Sequence, residues 1–289
     1  MSATSPSRLD EDIRGLDALE TPRLEEPSLA RRAWSMTWPM LTAFGLFVVV
    51  WQLVVWSGWK PKFVLPPPAD VFAHLGEMFS TPRFWNAVTN TIGRAAIGFA
   101  VAILIGTALG LVVSQSRVMR RAIGSGLSGL QSMPSIAWFP LAILLFGLTE
   151  TAILFVVVLG AAPSIANGLI GGVDTTPPIL LRAGKVLGAK GWSSWRHVVL
   201  PAAMPGYVAG IKQGWAFAWR SLMAGELLVI IAAQPSLGVF LHQARELADA
   251  EEVVATMIVI FVIGVVVDLV IFSNLERRLR RNRGLLTTT

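Results

Sequence analysis

Residues 95–113 read AAIGFAVAILIGTALGLVV, nineteen consecutive residues without a charged side chain. An α-helix needs about 20 mainly apolar residues to cross the hydrocarbon core of a bilayer. Within this run Gly106 and Gly110 are four residues apart, a spacing that lets two helices approach closely. The stretch predicts a membrane-spanning helix that packs tightly against a neighbour.

The composition of the whole chain favours the same class. Of 289 residues, 54% are apolar and 15% are charged, and the mean hydropathy is +0.62. Soluble domains carry about a quarter charged residues. There is no Cys, and His74, His197 and His242 are far apart in sequence. We therefore expect no metal site, no catalytic residues and no cofactor bound by this chain.

Six apolar runs predict an all-α polytopic membrane protein with about six transmembrane helices. The runs are residues 38–56, 95–113, about 134–146, 151–173, about 205–231 and 253–274. Pro134 and Pro140 divide the long uncharged stretch 122–149, so there we expect a short lead-in followed by a kinked span. The domain organisation predicted is a disordered cytoplasmic tail (1–33), a membrane domain (34–283) and a C-terminal tail (284–289).

The distribution of Lys and Arg predicts the orientation. With a cytoplasmic N-terminus, the cytoplasmic segments hold 17 of the 24 Lys and Arg residues and the outer loops hold four. Basic residues accumulate on the cytoplasmic side of membrane proteins. We therefore expect a multi-pass protein of the plasma or inner membrane with both termini cytoplasmic. The excess of basic residues behind the pI near 10.5 indicates the orientation of the protein in the membrane and contact with lipid, and we expect no binding to nucleic acid.

The loop between the fourth and fifth runs carries the functional signal. Residues 179–187 have the apolar spacing of a short amphipathic helix. Gly188 and Gly191 permit a tight turn, and Leu200-Pro201 begins the next helix. The pattern predicts a short helix, bent at glycine, that suits docking into a groove on a partner. A plain connector lying on the bilayer surface is the alternative.

This loop resembles the EAA motif of bacterial binding-protein-dependent ABC importer permeases. That motif reads Glu-Ala-Ala, three residues, Gly, nine residues and Ile-x-Leu-Pro. Gly188 and Val198-Val199-Leu200-Pro201 match it, whereas Arg182-Ala183-Gly184 stands in place of Glu-Ala-Ala. The resemblance implies a coupling helix at about residues 178–196 that contacts an ATPase. The residues it assigns to coupling are Arg182, Ala183, Gly184, Gly188, Ala189, Leu200 and Pro201.

Four further segments resemble permeases of the sulfonate, taurine, nitrate and bicarbonate group. They are residues 65–68, 131–147, 218–226 and 275–278. The resemblance implies the type I importer permease (MetI-like) fold and an aliphatic sulfonate or similar small oxyanion as substrate. Nitrate, bicarbonate or a pyrimidine precursor are the alternatives.

The resemblance also implies partners. They are a second permease copy, as a homodimer or pseudo-symmetric pair, two cytoplasmic ABC ATPase subunits and an extracytoplasmic substrate-binding protein. The chain has no Gly-x-x-x-x-Gly-Lys-[Ser/Thr] loop, so ATP and Mg are expected on the separate ATPase. A stand-alone secondary transporter would need its own coupling-ion site and an internal repeat. A membrane enzyme would need clustered catalytic side chains. Neither signature is visible.

Ionisable residues inside spans are functional candidates by default. They are Lys212, Arg220, Glu226 and Asp268. Lys212 and Asp268 lie at matching depth on antiparallel helices, so we expect them to pair. Glu226 is placed either on the path or in the outer interface. Arg220 is expected to face the bundle interior, a dimer axis or a water-filled path, where it either binds an oxyanion or only bonds backbone carbonyls at a helix end.

Small residues recur every four positions along the fifth run. They are Ala202, Gly206, Gly210, Gly214 and Ala218. Such a face favours close helix packing. The pattern leaves open whether the contact lies within the bundle or across a dimer.

Overall fold

The computed structural model describes residues 29–231 and 234–282, and within those ranges every regular element is helical. The predicted all-α fold is therefore confirmed. The chain divides into two units, residues 1–57 and 58–289. This division falls inside the membrane domain predicted over residues 34–283. The predicted C-terminal tail, 284–289, lies outside the described residues.

The described part of the first unit is one helix, α1 (Leu29–Trp56). It contains the first predicted span, and it begins within the segment 1–33 that we expected to be a disordered tail. Residues 1–28 of that segment lie outside the described part. Apolar side chains such as Leu41, Leu46 and Phe47 are exposed along α1.

In its described residues the second unit contains ten α-helices of eight or more residues, besides a short helix (Trp192–Ser194) and a 3-10 helix (Ser135–Trp138). The ten are α2 (Pro68–Ser80), α3 (Pro82–Gln115), α4 (Arg117–Ser132), α5 (Phe139–Phe146), α6 (Glu150–Asp174), α7 (Pro178–Val186), α8 (Leu200–Leu228), α9 (Leu237–Glu246), α10 (Ala250–Val267) and α11 (Ser273–Asn282). Proline lies in the first turn of α2, α3, α5, α7 and α8, where its missing N–H costs no helical hydrogen bond. A π-helical segment (Trp195–Val199) leads into α8, and another (Asp268–Phe272) joins α10 to α11.

Among the described residues, three helical segments are long and apolar enough to cross a membrane. They are Pro82–Gln115, Glu150–Asp174 and the continuous Ala250–Leu279. A fourth span results if Val118–Ser132 and Ser135–Phe146, which meet at 102°, form one broken span. The break at Pro134 confirms the predicted interruption, although the lead-in is a full helix of 16 residues. The other two predicted spans fall on α1, which contains a shorter apolar helix (Leu41–Trp56), and on α8, which ends at Leu228, before the predicted end near residue 231. Neither of these helices is both long and apolar enough to be counted with the three.

Helix α6 lies between α3 and α8, and glycine brings both of them close to it. A β-carbon on Gly106 of α3 would lie 2.6 Å from the Ala162 carbonyl oxygen of α6. On the other side of α6, a β-carbon on Gly210 of α8 would lie 2.7 Å from the Cα of Gly168. The small-residue stripe of the fifth run therefore packs within the bundle, against α6.

Replacing Gly168 by alanine is expected to destabilise the protein by about 2 kcal/mol, because overpacking a tight contact costs roughly 1–3 kcal/mol. The new Cβ would lie 2.5 Å from Gly210 Cα, a backbone atom that cannot rotate away. Gly171→Ala, on the same helix, meets nothing within 4 Å and is the matched control. Thermal unfolding of the purified protein in detergent measures both. Equal melting temperatures for the two variants would contradict the close packing of α6 against α8.

Candidate functional site

The α7 loop (residues 178–199) has the bent shape that the sequence predicts. Helix α7 ends at Val186, and two residues later Gly188 has a φ of +85°, in the left-handed region. Gly188 N–H donates to the Lys185 carbonyl at 3.1 Å, and Ala189 N–H donates to the Gly184 carbonyl at 2.8 Å. These two bonds form the Schellman end of a helix, in which the left-handed position favours glycine. Gly191, with φ +51°, completes the turn.

The far side of the turn packs back on α7. Gly184 is buried, and a β-carbon there would lie 2.8 Å from Val198 Cγ2. Val198 belongs to the π-helical segment that continues without interruption into α8 at Leu200 and Pro201. Helix α7 is therefore in contact with the π-helical segment that leads into α8.

The outer surface of the α7 loop is apolar and basic. Val186 and Leu187 are 87% and 86% exposed, and Trp192 is also exposed. Arg182 and Ala183 are exposed beside them. Protruding large apolar side chains are typical of a surface that meets another protein or a membrane.

A buried ion pair lies at the opposite end of the bundle. Arg94 of α3 donates to Glu226 Oε1 of α8 at 3.0 Å, and the two side chains are 6% and 0% exposed. Arg94 also contacts Glu150 at the start of α6 at 3.1 Å and Gln234 Oε1 at 2.7 Å. Glu226 is therefore fully buried within this bundle.

The same carboxylate holds the segment before α9. Gly238 N–H donates to Glu226 Oε2 at 3.1 Å. Thr91 Oγ1 donates to Glu226 and accepts from Leu237 N–H at 3.0 Å. The network thus joins α3, α6 and α8 to the beginning of α9. Arg94, Thr91 and Gly238 N–H all donate to the Glu226 carboxylate, a group that is costly to bury unpaired.

The expected pair between Lys212 and Asp268 is confirmed. Lys212 Nζ lies 3.5 Å from Asp268 Oδ2 and 3.9 Å from Glu276 Oε2. Lys212 therefore connects α8 to the π-helical segment and to α11. In residues 29–231 and 234–282, no group of three or more His, Asp or Glu side chains is placed to hold a metal ion.

Arg220 lies on the face of α8 turned away from α6. Its Nε donates to the Ala216 carbonyl at 2.9 Å, and its guanidinium carbon lies 4.8 Å from the centre of the Phe217 ring. This contact with a backbone carbonyl occurs within the helix, eight residues before its end at Leu228. The side chain is exposed in the single subunit, so it does not face the interior of this bundle.

Arg220 belongs to a continuous exposed stripe. Its members recur every three or four residues along α8 and are Pro205, Ala209, Gln213, Ala216 and Arg220. Two polar side chains and two alanines at mid-span are unlike the large apolar side chains that face lipid. The stripe therefore has the chemistry of a helix face that lines a path or meets another protein surface.

Sequence reasoning missed Arg94 as the partner of Glu226. The only signal was that Arg94 immediately precedes the uncharged run 95–113. An arginine at the border of a span usually reaches the interface. Its partner is 132 residues away in the chain, so no local pattern could identify the pair.

A family model described as a binding-protein-dependent transport system inner membrane component matches residues 102–281. A putative ABC transporter permease of Methanocaldococcus jannaschii is 31% identical over 227 residues, 77% of this chain and 84% of that protein. A putative aliphatic sulfonates transport permease of Bacillus subtilis is 27% identical over 260 residues, covering 90% of this chain and 92% of that protein.

Two further similarities concern a nitrate permease and a solved fold. The nitrate import permease of Synechocystis is 25% identical over 235 residues, covering 78% of this chain and 83% of that protein. The MetNI methionine ABC transporter, a solved structure, superimposes with a TM-score of 0.58 at 20% identity, covering 69% of this chain and 99% of that chain. The latter likeness shows that the predicted MetI-like fold is present.

Proposed function

This chain belongs to the family of binding-protein-dependent transport system inner membrane components and is a permease of an ABC importer; from that premise we propose that it carries a small oxyanion, such as an aliphatic sulfonate. The observation that carries the proposal is the exposed guanidinium of Arg220 at mid-span of α8. Arginine binds sulfonate-like and carboxylate groups through paired hydrogen bonds. Relatives named for aliphatic sulfonates and for nitrate both transport oxyanions, which supports the class.

Arg220 is suited to a transient contact with an anion in transit. Its Nε is engaged by the Ala216 carbonyl and its plane lies near Phe217. Within the described part of the chain only its Nε is hydrogen-bonded, so its two terminal amino groups can donate to an anion. Gln213, about two turns earlier on the same stripe, adds an amide that can also donate to an oxyanion.

Arg220→Lys is expected to lower oxyanion uptake by about tenfold, because it keeps the charge but loses the planar pair of donors. Arg220→Gln, which also removes the charge, is expected to lower it further. Initial uptake of labelled ethanesulfonate, nitrate and bicarbonate into cells measures both the effect and the preferred anion. Arg278→Gln, on exposed α11, is the matched control. Wild-type uptake in Arg220→Gln would exclude an anion contact at this residue.

The importer requires partners that bring ATP hydrolysis and substrate to this chain. We infer that the α7 loop docks on a separate ATPase, which binds ATP and Mg. Two ATPases, a second copy of this permease and an extracytoplasmic binding protein complete the proposed assembly. The exposed Val186 and Leu187 and the contact between Gly184 and Val198 support docking by the α7 loop, because they join an exposed apolar surface to α8.

The proposed orientation puts both termini and the α7 loop in the cytoplasm. The Lys and Arg distribution supports it. Because the chain has no Cys, a single cysteine is a specific probe. Leu247→Cys, in the exposed turn after α9, is expected to react with an impermeant maleimide added to intact cells. Ser193→Cys, exposed in the α7 loop, is expected to react only after the cells are opened, and the reverse pattern would overturn the orientation.

A further inference from the structure

The α7 loop carries charge of one sign only. Its charged side chains are Arg182, Lys185, Lys190 and Arg196, and the sequence contains no Asp or Glu from residue 175 to residue 225. All four cations are exposed. Within the described part of the chain, none of the four forms an ion pair. Their charges are therefore available to a partner.

The nearest acid along the chain is already engaged. Asp174, at the end of α6, forms an ion pair with Arg120 of α4. Arg182 and Lys185 are three residues apart on α7, a spacing that places two side chains on one face of a helix. They lie beside the exposed apolar side chains of Val186 and Leu187. The surface thus combines an apolar contact patch with a rim of cations that form no ion pair within the described residues.

We propose that the groove of the partner ATPase is acidic and places a carboxylate opposite Arg182. This inference rests on the proposed docking of the α7 loop and adds the chemistry of the docking groove. Covering four such cations with a neutral surface would remove their hydration without replacing it. An acidic groove replaces that hydration, speeds association and fixes the register of the contact. The guanidinium of Arg182 can bind one carboxylate through two parallel hydrogen bonds.

An acidic groove also explains why the chain departs from the family motif at residue 182. Arg182 occupies the position at which the EAA motif has glutamate. Some ATPases would place a basic side chain in the groove to pair with that glutamate. In such a groove, the basic side chain and Arg182 would repel each other. Repulsion of this kind excludes wrong partners. Residue 182 therefore selects the ATPase with which this permease assembles.

The test is the affinity of the purified full-length chain for the ATPase that co-purifies with it, measured in a neutral detergent without lipid. Arg182→Glu is expected to weaken binding by at least about tenfold, equivalent to roughly 1.4 kcal/mol, and Arg182→Gln by less. Wild-type binding is expected to weaken between about 50 mM and about 500 mM salt, because salt screens exposed charges. Reversing the facing carboxylate of the ATPase to arginine should restore binding to the Arg182→Glu chain. Arg278→Glu on α11 is the matched control.

The outcomes separate this inference from the docking proposal. If Gly188→Asp abolishes binding while Arg182→Glu binds like wild type, the loop docks but the groove is not acidic. If neither change affects binding, docking itself is wrong. Arg182→Glu could instead leave binding to the ATPase in detergent unchanged and lower transport only in vesicles that contain phosphatidylglycerol. The cations would then bind anionic lipid headgroups, and the acidic groove would again be excluded.

Discussion

Gly188→Asp is expected to abolish transport and substrate-stimulated ATP hydrolysis while leaving the protein inserted in the membrane. Gly188 has φ +85° at the Schellman end of α7. A side chain in the left-handed region costs about 1–2 kcal/mol. A β-carbon added at this glycine would have no atom within 4 Å, so the substitution meets no clash inside the subunit. Its effect is expected on the shape of the turn and on the surface that we propose docks on the ATPase.

The control for this variant is Gly58→Asp. Gly58 has φ +70° and also has open space around it, so it carries the same backbone strain and the same added charge. Gly58 lies outside the α7 loop, and its replacement is expected to leave ATP-driven uptake within about twofold of wild type. Transport by Gly188→Asp at the rate of Gly58→Asp would exclude the α7 loop as the coupling element.

Glu226→Ala is expected to be the most destabilising single substitution in the bundle. It leaves Arg94, only 6% exposed, without its best-buried counter-charge, and it removes the acceptor of Gly238 N–H. Breaking a buried ion pair from one side costs about 3–5 kcal/mol. Replacing Arg94 and Glu226 together by methionine is expected to cost less, because no buried charge is then left unpaired.

Thermal unfolding in detergent distinguishes these cases. Glu246→Ala, at the exposed end of α9, is the matched control and is expected to change the free energy of unfolding by no more than about 0.5 kcal/mol. If Glu226→Ala unfolds at the temperature of Glu246→Ala, the buried network does not hold the four elements together.

The sequence predicted the helices because their causes are local. Uncharged runs of sufficient length placed the spans, and prolines placed the break at Pro134. The four-residue spacing of Gly206, Gly210 and Gly214 predicted a helix face that packs closely against a neighbour. Only the structure shows that this neighbour is α6. Lys212 and Asp268 could be paired by depth alone, since both positions are counted from the same membrane surface.

Other features depend on how distant helices are placed around α6. Arg94 and Glu226 are 132 residues apart, and no periodicity connects them. The second acid near Lys212, Glu276, was missed because the helix continues through a π-helical segment beyond the end of the predicted span. Likewise, the exposure of Arg220 could not be derived from its depth, because depth does not determine which neighbour covers each face of α8.

The α7 loop shows what a motif contributes and what it omits. Gly188 and Pro201 were sufficient to predict that a helix ends in a turn at glycine and that the next helix, α8, begins near Pro201. They did not predict that Gly184 brings α7 into contact with Val198. That contact joins α7 to the π-helical segment that continues into α8, the helix on which Lys212, Arg220 and Glu226 lie.

The most direct measurement of the central claim is uptake into vesicles that contain the purified chain. We predict that labelled ethanesulfonate enters only when the binding protein, the ATPase and ATP are all present, and that omission of any one of them stops uptake. Vesicles containing this chain alone, with an imposed proton or sodium gradient, are expected to take up none. Gradient-driven uptake by the chain alone would contradict its assignment as a permease that depends on a separate ATPase.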